Sequence, residues 1–159
     1  MTEITPEELL DLLKYDITTD EDGIITYRVN GEVHRDDDLP AVIHADGTKW
    51  WCQNGNLSRD NDQPAVVKAN GSKEWFQNGK LHRDNDQPAI VCADGYTVWY
   101  QNGLRTRDNN LPAIIYADET KWWCQNGVRH RDNDQPATID ASGTNEWWVN
   151  GKFVRRESK

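Results

Sequence analysis

Asn-Gly recurs at 30/31, 54/55, 78/79, 102/103, 126/127 and 150/151, always 24 residues apart. An unbroken period of that length means a stack of one small unit, because so short a piece cannot bury its apolar face alone. Arg35, Arg59, Arg83, Arg107, Arg131 and Arg155 keep the same spacing, as do Pro40, Pro64, Pro88, Pro112 and Pro136. The fold is therefore decided by what one unit does and by how neighbours meet.

All 11 glycines fall in two columns, the glycine of Asn-Gly and a second one at Gly23, Gly47, Gly71, Gly95 and Gly143. Each unit thus contains two tight turns. Asn-Gly favours a type I′ hairpin, in which both central residues need a positive φ. The other column follows Asp, Asn or Ser, and at Asp118-Glu119 a residue with a Cβ has to make the turn. Alanines flank β-branched pairs such as Val42-Ile43 and Ile114-Ile115, which read as one short strand. The proline ahead of the pair lacks a donor and suits a strand's first position. A second strand is centred on Trp, as in Lys49-Trp-Trp-Cys-Gln53 and Thr97-Val-Trp-Tyr-Gln101. A third piece, such as Lys80-Leu-His-Arg83, follows Asn-Gly. It fits either a strand paired across that turn or part of a longer loop.

The pattern predicts an all-β protein, an elongated antiparallel β-meander or solenoid of 24-residue repeats. Five full units of two strands give ten strands and a sheet roughly 50 Å long. Ahead of them, Thr5-Pro-Glu-Glu8 matches a capping box followed by Leu9, Leu10, Leu12 and Leu13, which predicts a short helix from Pro6 to Lys14. Its expected role is to cover the first edge of the sheet, as terminal units of arrays require. Residues 1–21 read as this cap and lead-in, 22–155 as one repeat domain, and 156–159 as a tail without comparable cover.

Composition sharpens the reading. Leu, Ile, Val and Phe number 30 of 159 residues and the net charge is −9, a balance that borders on disorder. Eight tryptophans supply the missing apolar area, since aromatic rings bury the most surface per residue. Trp51, Trp75, Trp99, Trp123 and Trp147, with Tyr27 in the first partial unit, form a row expected to be a continuous buried spine. Strand alternation turns the neighbouring positions to the other face, so Trp50, Trp122 and Trp148 are the candidate exposed anchors for a partner. Cys52, Cys92 and Cys124 form no CxxC and read as small apolar residues rather than a disulfide framework or metal site.

The loop Arg-Asp-Asn-Asp recurs at 59–62, 83–86 and 131–134. Its carboxylates Asp60, Asp62, Asp84, Asp86, Asp132 and Asp134 are candidate interaction residues. Calcium is the weaker reading, because that ion wants ~6–8 oxygens and the motif lacks the glycine and distal Glu of an EF-hand. Asx-type turns, with Arg of one unit meeting Asp of the next, are the stronger one. His34, His82 and His130 share a column with Ser58 and Thr106 and read as polar surface. No nucleophile elbow, P-loop, HExxH or dinucleotide fingerprint is present, so neither catalysis, cofactor nor metal is expected. Direct nucleic-acid binding needs a basic footprint, which an acidic chain lacks; a protein partner with a basic surface suits it. The amino-terminal stretch has no signal-peptide pattern and no segment is apolar enough to span a bilayer, so a cytoplasmic protein without membrane contact is expected.

At Asn70-Gly-Ser-Lys-Glu-Trp-Phe-Gln-Asn-Gly-Lys-Leu-His82 the unit resembles MORN-type repeats and their bacterial variants, including YwqK-like antitoxins, over residues 22–155. It departs from them where Arg-Asp-Asn-Asp-Gln-Pro-Ala follows the His. Asn-Gly-Lys-x-His-Arg and Pro-Ala repeats of bacteriophage and giant-virus proteins are closer in flavour. The resemblance implies an elongated β-meander that binds proteins and carries no catalytic residues. Three functions follow as expectations: a non-enzymatic protein-binding module such as a phage-encoded inhibitor of a host defence or nucleic-acid enzyme, a Trp-rich carbohydrate binder, and an antitoxin or scaffold of the MORN type. Self-association through the carboxyl-terminal edge is a further expectation.

Overall fold

A computed structural model describes residues 5–159. The chain is one open antiparallel meander: thirteen strands follow one another across a single sheet, with small two-stranded hairpins branching from it. At ~4.8 Å per strand the sheet runs about 60 Å. It exceeds the ten expected strands because both ends join it. Asp16–Thr19 pairs with Ile25–Val29 at one end, and Lys152–Glu157 pairs with Asn145–Val149 at the other.

One unit shows how the sequence builds the array. Val42–Ile43 pairs with Lys49–Trp50, Val42 opposite Trp50, and Trp50 faces Val66 of the next unit. The turn between them closes with the Gly47 N–H on the His44 carbonyl and the His44 N–H on the Thr48 carbonyl; Gly47 holds φ at 90°. The chain then leaves the main sheet at Trp51. Its N–H still donates to the Ala65 carbonyl of the sheet, while its own carbonyl accepts from Ser58 of the branching hairpin. Both backbone groups of the tryptophan are satisfied by different sheets, so the residue is the hinge between them.

Beyond the hinge, Cys52–Gln53 pairs with Asn56–Leu57 around a type I′ turn in which Asn54 and Gly55 have φ of 48° and 75°. The piece after Asn-Gly is therefore a paired strand. Successive hairpins are stitched by one backbone bond each, such as Gly79 N–H to the Leu57 carbonyl at 3.0 Å. The acidic loop is a third tight turn: the Gln63 N–H reaches the Asp60 carbonyl while Asn61 and Asp62 hold φ of 57° and 53°. Among the described residues, every non-glycine residue with positive φ is Asn or Asp except Glu119. Asn and Asp are the side chains that tolerate this region, so the recurrence of Asn and Asp at these turn positions follows from backbone geometry.

Glu119, at φ 69°, stands where the other units use glycine. Glu119→Gly is expected to stabilise the protein by roughly 1 kcal/mol by removing the left-handed penalty. Chemical denaturation checks this, and an unchanged or lower midpoint would contradict it.

The helix spans Pro6–Lys14, as its capping signal predicts. The side chains of Glu7, Glu8, Asp11 and Leu12 lie outside the described residues. Among the described side chains of the helix, Leu9, Leu10 and Leu13 are exposed rather than laid on the sheet, and Asp16–Thr19 forms the edge strand. Its anchor is polar, through Lys14 on the Asp36 carboxylate, beside buried Tyr15, whose hydroxyl donates to Asp36. At the other end, Lys152–Glu157 carries Lys152, Arg155 and Arg156 and a register irregularity at Trp147/Trp148. Charges and bulges are the usual devices that discourage edge pairing. Among the described residues no helix is long and apolar enough to cross a membrane.

The buried centre is made by the small columns. Ala41, Ala65, Ala89, Ala113 and Ala137 are fully buried, and Val98, Ala113, Ile114 and Cys124 form one cluster. Burial pushes the Cys52 thiol up to about 11, and all three cysteines are free.

Candidate functional site

Along the loops the same polar assembly repeats at every unit junction. The Trp75 indole N–H donates to the Asp62 carbonyl at 2.9 Å, and the Arg83 guanidinium lies 3.8 Å over the indole ring. Arg83 also grips the Asp62 carboxylate with Nε at 2.8 Å and Nη2 at 2.9 Å, and donates to the Pro88 carbonyl. One side chain thus ties a ring, a carboxylate and a carbonyl. The assembly recurs as Trp51, Arg59 and Asp38, as Trp99, Arg107 and Asp86, and, with the ring and the carboxylate alone, as Trp147, Arg155 and Asp134.

These contacts correct two expectations. Trp75, Trp99, Trp123 and Trp147 are buried as expected, but the row is not continuous: Trp51 is only half-buried, and an arginine, not a neighbouring ring of the row, lies over each indole. The arginine meets the aspartate of the preceding loop, not the following one. At the fourth junction the acceptor is Asn110, and Arg131 makes one bond to its side-chain oxygen where the others make two. An amide has only one oxygen, so the fork is half filled.

The arginines hold the carboxyls of Asp38, Asp62, Asp86 and Asp134 below their usual range. A depressed folded pKa stabilises above the unfolded value and is lost as pH falls through the folded one. The urea midpoint is therefore expected to stay flat down to about pH 5 and to fall below about pH 4. A midpoint that rises on acidification would contradict the assignment.

The six candidate loop carboxylates separate into two sets. Asp62, Asp86 and Asp134 are neutralised by Arg83, Arg107 and Arg155. Asp60, Asp84 and Asp132 meet no arginine or lysine among the described residues. Asp60 accepts from the Gln53 amide, Asp84 from His82, and Asp132 from Gln125 and His130. Asp84 and Asp132 side chains are 71% and 64% exposed. The histidines are bridges rather than surface spectators: Nδ1 of His34, His82 and His130 accepts the backbone N–H of Asn54, Asn102 and Asn150. With Nδ1 accepting, Nε2 is the nitrogen left to donate to the loop aspartate. Between adjacent loops lie similar open clefts of about 240–380 Å³, lined by these aspartates, asparagines, glutamines and the row tryptophans.

The candidate aromatic anchors are half-buried. Trp50 packs against His44 at 4.7 Å, Trp122 against Tyr116 at 5.2 Å, and Trp148 against Phe153 at 5.4 Å. Arg129 lies between Trp122 and Trp148, 3.8 and 4.2 Å from their rings. With Tyr96 on Tyr116, these groups form a strip that sequence reading missed, because Tyr96, Tyr116 and Arg129 belong to columns that change from unit to unit. Position 116 corresponds to His44, Lys68, Cys92 and Asp140 in the other copies. That variability, set against invariant Trp, Arg and Asn-Gly, was the available signal.

Comparison with protein-family models and with curated proteins finds no match for the chain.

Proposed function

We propose that the chain is a non-enzymatic protein-binding module that acts by occupying a basic surface of its partner. The carrying observation is the partition of charge along the loops. Arginines neutralise one aspartate row, whereas Asp60, Asp84 and Asp132 recur on the loops with only glutamine and histidine side chains on their carboxylates among the described residues. Repeated carboxylates on a stiff array present complementary charge to a cationic surface, which steers association and selects partners. An inhibitor that shields the nucleic-acid-binding face of an enzyme is the specific role such a module suits, and the MORN-type resemblance agrees with protein binding. Half-buried Trp50, Trp122 and Trp148 supply the aromatic area that dominates affinity in interfaces.

The test is affinity capture with wild type and with the variant Asp60→Lys/Asp84→Lys/Asp132→Lys, partners being identified by mass spectrometry and cross-links mapped. A specific basic partner that cross-links to these loops, is weakened by salt and is lost with the reversed variant supports the reading. A partner that binds both proteins equally would refute it.

A further inference from the structure

Arg129 and Arg105 occupy the same column in successive units, and only one of them is satisfied. Arg129 has Trp122 and Trp148 on its two faces and Glu146 at 3.3 Å. Shifted by one repeat, those three positions around Arg105 are Val98, Cys124 and Trp122. The carboxylate has been replaced by an indole. The Arg105 carbonyl accepts the Gly127 N–H, but its guanidinium has no ion pair or hydrogen bond among the described residues.

Its surroundings are built rather than open. Arg105 sits directly across the hairpin from Tyr100. Tyr96, Tyr100, Tyr116 and Trp122 all pack on the same buried cluster of Val98, Ala113, Ile114 and Cys124, with the Tyr96 and Tyr116 rings 5.1 Å apart. None of the three phenol hydroxyls has a hydrogen-bond partner among the described residues. An unpaired guanidinium and three free O–H donors on an aromatic floor are complementary to an oxyanion carried by an apolar body.

We propose that this face binds a carboxylate side chain of an acidic, aliphatic peptide segment, which takes at Arg105 the place that Glu146 holds at Arg129. Glu146 gives the geometry its internal template: a carboxylate beside a guanidinium that is held against rings. The negative charge of the chain as a whole does not oppose this, because exposed charges beyond about 8 Å are screened at physiological ionic strength. The proposal does not depend on the loop surface above, and charge reversal of the loops leaves Arg105 untouched.

Titration of the ¹⁵N-labelled full chain with acetyl-Leu-Glu-Leu-amide tests it. Saturable shifts are expected at the Arg105 Nε–H and the Trp122 indole N–H. The Gln counterpart of the peptide, or Arg105→Gln protein with unchanged spectral dispersion, should bind about tenfold more weakly or not at all. Tyr116→Phe, which removes only a donor, should weaken binding without altering the fold. Trp122→Glu supplies the missing carboxylate internally and should abolish the shifts. Equal binding of the Glu and Gln peptides, which needs no variant to fold, would overturn the proposal. So would stronger shifts with inorganic phosphate, or concentration-dependent self-association that Arg105→Gln abolishes, since that would make a second copy the occupant.

Discussion

Trp99→Ala is expected to destabilise the protein by ~3–5 kcal/mol, the usual range for truncating a buried aromatic. The ring is buried, and its loss does more than leave a cavity. The Asp86 carbonyl loses its indole donor and Arg107 loses the surface that it covers at 3.9 Å. Because each unit of an array contacts mainly its neighbours, a central defect separates the two halves of the stack. Trp50→Ala is the control. That residue is half-buried against His44 and carries no such ties, so a far smaller loss is expected. Equal losses in chemical denaturation would show that the invariant tryptophans are not the members that hold the units together.

Arg107→Ala is expected to cost about 2–3 kcal/mol, in the range for hydrogen bonds to charged groups with an added cation–π contribution. Arg107 is mostly covered, with 15% of its side chain exposed, while Asp86 is nearly half exposed. This partial burial lifts the pair above an ordinary surface ion pair, which is worth ~0–1 kcal/mol. Arg107→Lys should recover little, because an ammonium cannot fork to both carboxylate oxygens while lying flat on an indole. Trp99→Ala and Arg107→Ala remove overlapping interactions, so the double variant should lose less than the sum. Additive losses would mean that the ring and the guanidinium act independently.

Much of the architecture was legible in the sequence because the turns are chemically specific. Asn54-Gly55 announces a type I′ hairpin, Asp118-Glu119 announces a strained one, and both are as expected. Pro6–Lys14 follows from the capping signal. The strand after Asn-Gly was not decidable, since two residues such as Lys80-Leu81 are too short to show alternation. The Trp–Arg stack was hidden for a different reason. A period gives the columns but not which columns meet, and Arg83 reaches Asp62 only because a loop folds back 21 residues along the chain. The two aspartate rows were likewise indistinguishable from composition, because Asp60 is met by Gln53 seven residues upstream and Asp62 by Arg83 of the next unit. Arg105 and Tyr116 were not legible because the period marks only what repeats, whereas their columns change from unit to unit.

On the proposed function the two rows of loop aspartates have different roles, one holding the array together and one facing a partner. The most direct measurement compares two triple variants, Asp62→Asn/Asp86→Asn/Asp134→Asn and Asp60→Asn/Asp84→Asn/Asp132→Asn, by denaturation midpoint and by binding to the captured partner. The account predicts that the first loses stability, keeps its binding when folded, and that the second keeps its midpoint and loses binding. The reverse pattern, or two variants that behave alike in both measurements, would contradict it.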